Sequence, residues 1–241
     1  MLRLFMLLTL LFLLPASALA ECVVLLHGLG RVSNSMSELE RKLGPAGYSV
    51  ANILYPSRSY PVDVLAEDAI GRGLTQCRDM QGGKIHFVTH SLGGILLRYY
   101  LREHSIEELG RAVMLGPPNQ GSQIVDGLLP VPGFGFIGGP AGLALGTGEG
   151  SIIASLGPVD FDLGVIAGST NINPFEFLFI PGPSDSIVSI ESTKVQGMNA
   201  HKVLPVTHTF MMRNNEVIDE AIHYLKTGAF ISQSLEQDRN E

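Results

Sequence analysis

Tryptophan is absent, and cysteine occurs only twice, at Cys22 and Cys77. Neither cysteine has a ligand-spaced partner, so no metal site is expected. Charge is sparse: Asp, Glu, Lys and Arg make up 16% of the residues, against about 25% in an average soluble domain. No basic cluster occurs, and 16 Lys and Arg stand against 23 Asp and Glu, a net of −7. That balance argues against nucleic acid as a partner and gives no support for electrostatic docking on anionic lipid. Beyond the first residues, no stretch is long and apolar enough to cross a bilayer, which takes about 20 residues.

What is present begins with a processing signal. Arg3 supplies a positive start, Leu4 to Leu14 an apolar core, and Ala18-Leu19-Ala20 a small-x-small cleavage site, so residues 1–20 read as a signal peptide. Its apolar run falls short of a membrane span. Glu21 stands before Cys22 where a lipoprotein anchor would need a small residue. The expectation is an exported, soluble protein, periplasmic or secreted, with no stable membrane anchor. Export permits a disulfide between Cys22 and Cys77; two buried free thiols are the alternative.

The remaining chain, about 220 residues, suits one domain with a sizeable core. Strand-like segments alternate with helical ones. Cys22–Leu26, Ser49–Tyr55, Lys84–Thr89, Arg111–Leu115, Leu163–Gly168 and Lys202–Val206 read as strands. Ser35–Leu43, Val62–Gln76, Ile95–Glu103 and Val217–Lys226 read as helices. The alternation predicts a three-layer α/β domain over residues 21–231, its sheet mostly parallel with helices on both faces. Residues 232–241 are polar and read as a disordered tail. Residues 119–156 break the rhythm: they are rich in glycine, proline and apolar residues and show no period. Phe134, Phe136 and Ile137 would be costly to leave in water, so this segment is expected to be a short cap or lid insertion.

The most telling residues are Val88-Thr89-His90-Ser91-Leu92-Gly93-Gly94, where an apolar strand runs into a serine and then a glycine-started helix. Such a strand–turn–helix strains the serine backbone and lifts its hydroxyl clear of the sheet. Thr89 departs from the usual glycine before the nucleophile. A serine hydroxyl needs a base, a group to orient the base, and donors for the oxyanion. His27-Gly28-Leu29-Gly30 closes the first strand with glycines, and the amides of Leu29 and Leu92 are the expected oxyanion donors. In this kind of fold the chain order is Ser, acid, His. His208 follows the last strand, at the carboxyl end where active-site loops lie, and is the expected base. His27 precedes the serine, His201 opens the strand, and His223 lies on the last helix. Asp185, in a turn after the apolar residues 177–180, is the expected orienting acid, with Glu191 in reserve. Asp160 and Asp162 precede the fifth strand, at its wrong end. No segment reads as a site for a charged ligand.

With these residues in place, the chain resembles the bacterial lipases and esterases of the α/β-hydrolase superfamily. Val24–Gly30, Phe87–Gly94, Gly116–Ser122 and the late Asp185 and His208 segments carry the resemblance. It implies ester hydrolysis through an acyl-serine intermediate with no cofactor, acting on a small-molecule or lipid ester with transient lipid-surface contact. Acyl transfer or thioester cleavage by the same triad, and a non-catalytic binding protein on a hydrolase scaffold, remain open alternatives.

Overall fold

A computed structural model describes residues 20–172 and 178–232. Residues 1–19, nearly all of the expected signal peptide, and 233–241, nearly all of the expected polar tail, lie outside the described residues. Six strands form one sheet: β1 (Cys22–Leu26), β2 (Ser49–Ile53), β3 (Ile85–His90), β4 (Leu109–Leu115), β5 (Leu163–Gly168) and β6 (Ala200–Leu204). Their order is β2-β1-β3-β4-β5-β6. Every pairing is parallel, beyond the mostly parallel sheet expected. The inner strands β1, β3 and β5 are wholly buried, as unbroken apolar runs must be when helices cover both faces. The edge strand β6 carries the half-buried His201 and Lys202, a pattern that discourages pairing with another chain.

Strand residues alternate between two cores. Val24, Leu26, Phe87 and Met114 pack on one face with α2 (Val62–Asp79) and α3 (Leu92–Glu103). Val23, Leu25, Val88 and Val113 pack on the other with α1 (Ser37–Leu43) and α8 (Asn215–Thr227). Each buried Leu or Phe contributes about 1.5–3 kcal/mol over its exposed state. Asn214 caps α8 by accepting from the Val217 amide, and Gly228 ends it in the left-handed region at φ 78°. Cys22 of β1 and Cys77 of α2 are joined as a disulfide, their Cα atoms 5.6 Å apart. Closing a loop across their sequence separation of 55 is worth about 4 kcal/mol in the chain-entropy picture.

Several boundaries differ from expectation for physical reasons. β6 ends at Leu204 rather than Val206, because Pro205 has no N–H for the ladder. β2 ends at Ile53, opposite the last residue of β1, and frees Leu54 and Tyr55 for the loop beyond. α3 starts at Leu92 rather than Ile95, taking both glycines into its first turn. Segment 119–156 is not shapeless: it holds α4 (Gln123–Leu128), α5 (Phe134–Leu143) and α6 (Ile152–Leu156). α5 breaks at Gly139, where φ is 63°, followed by Pro140. Phe134 is partly buried, while Phe136 is 96% and Ile137 65% exposed. The short helix α7 (Ile190–Thr193) precedes β6.

The topology places a site. From β1 the chain moves to β2 on one side, and β3 then lies on the other side of β1. The loops leaving β1 and β3 therefore diverge and open a crevice at their carboxyl ends.

Candidate active site

Ser91 stands in that crevice, between the end of β3 and the start of α3, with φ 51° and ψ −118°. A side chain in this region costs on the order of 1–3 kcal/mol and persists only where neighbours enforce it. Here the Ser91 amide donates to the Leu115 carbonyl at 2.9 Å, and its own carbonyl accepts from the Gly94 amide at 3.0 Å. Gly93 completes the restraint. A β-carbon there would meet the Leu26 carbonyl oxygen at 2.7 Å, so only glycine lets α3 pass so close to β1. Thr89 is fully buried in β3 opposite Leu26 and Met114, so the residue replacing the usual glycine sits within the sheet.

His208 and Asp185 come together from different loops. His208 Nδ1–H donates to Asp185 Oδ2 at 2.8 Å. The other carboxylate oxygen accepts from the amides of Ile187 at 3.1 Å and Val188 at 2.8 Å. The His208 amide also donates to the Asp185 carbonyl at 3.0 Å, locking the two loops backbone to backbone. Asp185 has no exposed surface, and its charge is met by these three donors. Gly168, at the end of β5, lets this assembly settle on the sheet: a β-carbon there would lie 2.4 Å from the Val206 carbonyl oxygen and 2.8 Å from Asp185 Cβ. Gly116, just past β4, does the same against the imidazole: a β-carbon there would lie 3.1 Å from His208 Nδ1.

Ser91 and His208 are neighbours through His90 and the Leu115–Gly116 turn. Among the described residues no hydrogen bond joins them directly. Such bonds are often long before substrate arrives and tighten in the complex.

His90 is a connecting residue that sequence reading passes over. Its Nε2–H donates to the His208 carbonyl at 3.0 Å, and the two rings lie 4.7 Å apart. Burial holds His90 well below the usual histidine pKa, helped by the proximity of His208, so the ring stays neutral. The residue before the serine thus ties down the loop that presents the imidazole. A histidine flanking the nucleophile was the available signal, but its partner lies 118 residues away in sequence.

The loop after β1 is held from within. The His27 ring stacks on Tyr55 at 4.0 Å, donates from Nδ1 to the Gly28 carbonyl at 2.9 Å and accepts at Nε2 from the Tyr55 amide at 3.4 Å. The Tyr55 hydroxyl donates to the His27 carbonyl. Burial lowers the His27 pKa and raises that of Tyr55. His27 therefore shapes the loop that carries Leu29. At Gly28 a β-carbon would stand 3.2 Å from Ser91 Cβ, so this loop runs directly past the serine. Among the described residues the amides of Leu29 and Leu92 donate to no partner. Leu92 opens α3, where the first N–H groups have no helical acceptor and the dipole favours negative charge.

The residues set aside lie elsewhere. Asp162 pairs with Arg111 at 3.0 Å at the amino end of β5, Glu191 pairs with Lys194 at the surface, and His201 meets the Thr193 hydroxyl at 2.8 Å. His223 lies on α8, half-buried.

α5 covers part of the crevice. A β-carbon at Gly142 would meet Leu29 Cδ2 at 2.8 Å, and one at Gly139 would overlap the Arg58 carbonyl oxygen at 1.9 Å. Beneath this edge, a cavity of about 470 Å³ opens beside Gly30 and contains Arg31, Arg58, Ser57 and Ser59 in its walls. The two arginines stand 27 residues apart in sequence and come to one cavity only in the fold.

No protein-family model matches this sequence, and no curated protein matches it. Solved structures do. Lipase BlEst2 of Bacillus licheniformis in its mature form superposes with a TM-score of 0.64 at 17% identity, covering 88% of this chain and 93% of that one. Phospholipase PlaB of Legionella pneumophila gives 0.66 at 18% identity, covering 88% of this chain but 60% of its own length. Esterase EaEST of Exiguobacterium antarcticum gives 0.60 at 16% identity, covering 87% and 93%. At such identities the likeness establishes the fold, which is that of the α/β-hydrolases.

Proposed function

We propose that this chain is an exported carboxylic-ester hydrolase of the lipase and esterase type, working through an acyl-serine intermediate. The reading rests above all on one observation: a serine held at φ 51° between β3 and α3, beside a buried aspartate–histidine pair. His208 takes the Ser91 proton as the oxygen attacks the ester carbonyl. Asp185 accepts from Nδ1–H, which leaves Nε2 as the basic nitrogen and stabilises the imidazolium that forms. The Leu29 and Leu92 amides receive the developing oxyanion, each such donor being worth about 3 kcal/mol. The alcohol departs with the proton from His208, and water activated by the same ring frees the acid.

Export is supported by the Cys22–Cys77 disulfide, which belongs to an oxidising compartment. The exposed Phe136 and Ile137 on α5, beside Leu29, favour an ester met at a lipid surface.

The test is Ser91→Ala assayed on p-nitrophenyl butyrate. Turnover is expected to fall to background while the thermal transition stays in place. Retained turnover in the folded variant would reject the mechanism.

A further inference from the structure

The cavity beside Gly30 has a chemistry that hydrolysis of a neutral ester does not call for. Arg31 and Arg58 both line it. Among the described residues neither guanidinium has an ion-pair or hydrogen-bond partner. Of the other described arginines, Arg41, Arg72, Arg78, Arg102 and Arg111 each pair with a carboxylate, Arg98 donates to carbonyl oxygens of Asn119 and Gly157, and Arg213, which also has no side-chain partner, stands alone at the end of a short 3-10 turn away from this cavity. In a chain of net charge −7, no acidic residue lines this cavity.

The Arg58 stem lies over Gly30, its Cδ 3.7 Å from where a β-carbon would be, and its backbone is clamped under α5 at Gly139. The Arg31 amide donates to the Gly28 carbonyl at 3.2 Å, closing a backbone turn beside the cavity. Arg31 lies near enough to His90 to help keep that ring neutral. In the same lining, buried Ser57 accepts from the Gly30 amide at 2.9 Å, which leaves its own hydroxyl proton for another acceptor. Two guanidiniums and hydroxyl donors around one space match the several oxygens of a phosphate, which arginine binds in forked pairs.

The cavity also stands at a useful distance from the chemistry. Ser91 does not line it, but Gly28, against which Ser91 packs, is two residues from Gly30. At most about 7 Å of backbone lies between those glycines. A short linkage such as glycerol joins an ester carbonyl to a phosphate over a comparable span.

We infer that the Arg31–Arg58 cavity binds the phosphate of the substrate, so that the ester cleaved at Ser91 is phosphate-bearing, as in a glycerophospholipid. This rests on the ester-hydrolase reading of the same site.

The experiment compares dihexanoyl-phosphatidic acid with dihexanoylglycerol, both below their aggregation limits, in wild type, Arg31→Gln, Arg58→Gln and the double variant. The two substrates differ only in the phosphate. Each single change is expected to lower kcat/KM on the phosphatidic acid about tenfold and to leave dihexanoylglycerol unaffected. Equal losses on both substrates, or none on either, overturn the inference. Calorimetric binding of glycerol 3-phosphate to Ser91→Ala, with and without the two arginine changes, separates the claims. Binding that vanishes with the arginines upholds the phosphate site even if Ser91→Ala proves active, an outcome that would sink the hydrolase reading alone. Absence of binding to the folded protein rejects the phosphate site and leaves the hydrolase reading standing.

Discussion

The carboxyl end of β3 and the segment from Asn119 to Leu156 face the same crevice and are built on opposite terms. At the end of β3, the Ser91 amide is held by the Leu115 carbonyl of β4 and its carbonyl by the Gly94 amide, and glycine at 93 and 116 is required by contacts inside 3.2 Å. In the segment, short helices are joined by glycine-rich turns, and α5 leaves Phe136 and Ile137 in solvent. The first region spends stability on a strained serine and is held rigidly by its surroundings. The second leaves the apolar surface of Phe136 and Ile137 unburied. The contrast teaches that the candidate catalytic side chains are fixed at the ends of the strands, while the neighbouring segment is left to short helices with exposed apolar faces.

The comparison can be broken at several points. His208→Ala should give the largest effect, a loss of about 10⁴ in kcat on p-nitrophenyl butyrate with the fold intact; a loss of less than tenfold would place the base elsewhere. His90→Leu removes the Nε2–H bond to the His208 carbonyl. One such bond is worth about 0.5–1.5 kcal/mol, or roughly a two- to thirteenfold fall in kcat with KM unchanged. His90→Gln, which returns a donor near the same place, should recover most of it. A loss confined to stability, identical in both variants, would show that His90 only fills space. The smallest effect is expected in the segment. Joint replacement of Phe136 and Ile137 by serine should alter stability by no more than about 0.5 kcal/mol and leave soluble-ester turnover alone, while hydrolysis of emulsified tributyrin slows. Equal rates on the emulsion would remove any role for this face at a lipid surface.

Much of the fold was legible because parallel strands buried on both faces leave continuous apolar runs, as in Cys22–Leu26 and Ile85–Val88. Ser91 was legible for a local reason: strand, serine and glycines are adjacent in the chain. Asp185 and His208 could be named only from chain order, since nothing near either of them announces a partner 23 residues away. His90 and the arginine pair escaped notice because their significance lies in contacts between distant segments. The helices of 119–156 escaped because glycine and proline hide a period that tertiary packing restores.

The most direct test is to treat the folded protein with a fluorophosphonate and locate the adduct by peptide mass mapping. A single adduct on Ser91, formed rapidly in wild type and slowed by at least 10³-fold in His208→Ala, is the expected outcome. Labelling at another serine, or labelling of Ser91 at the same rate without the imidazole, would contradict the convergence of Ser91, His208 and Asp185 on one reaction centre.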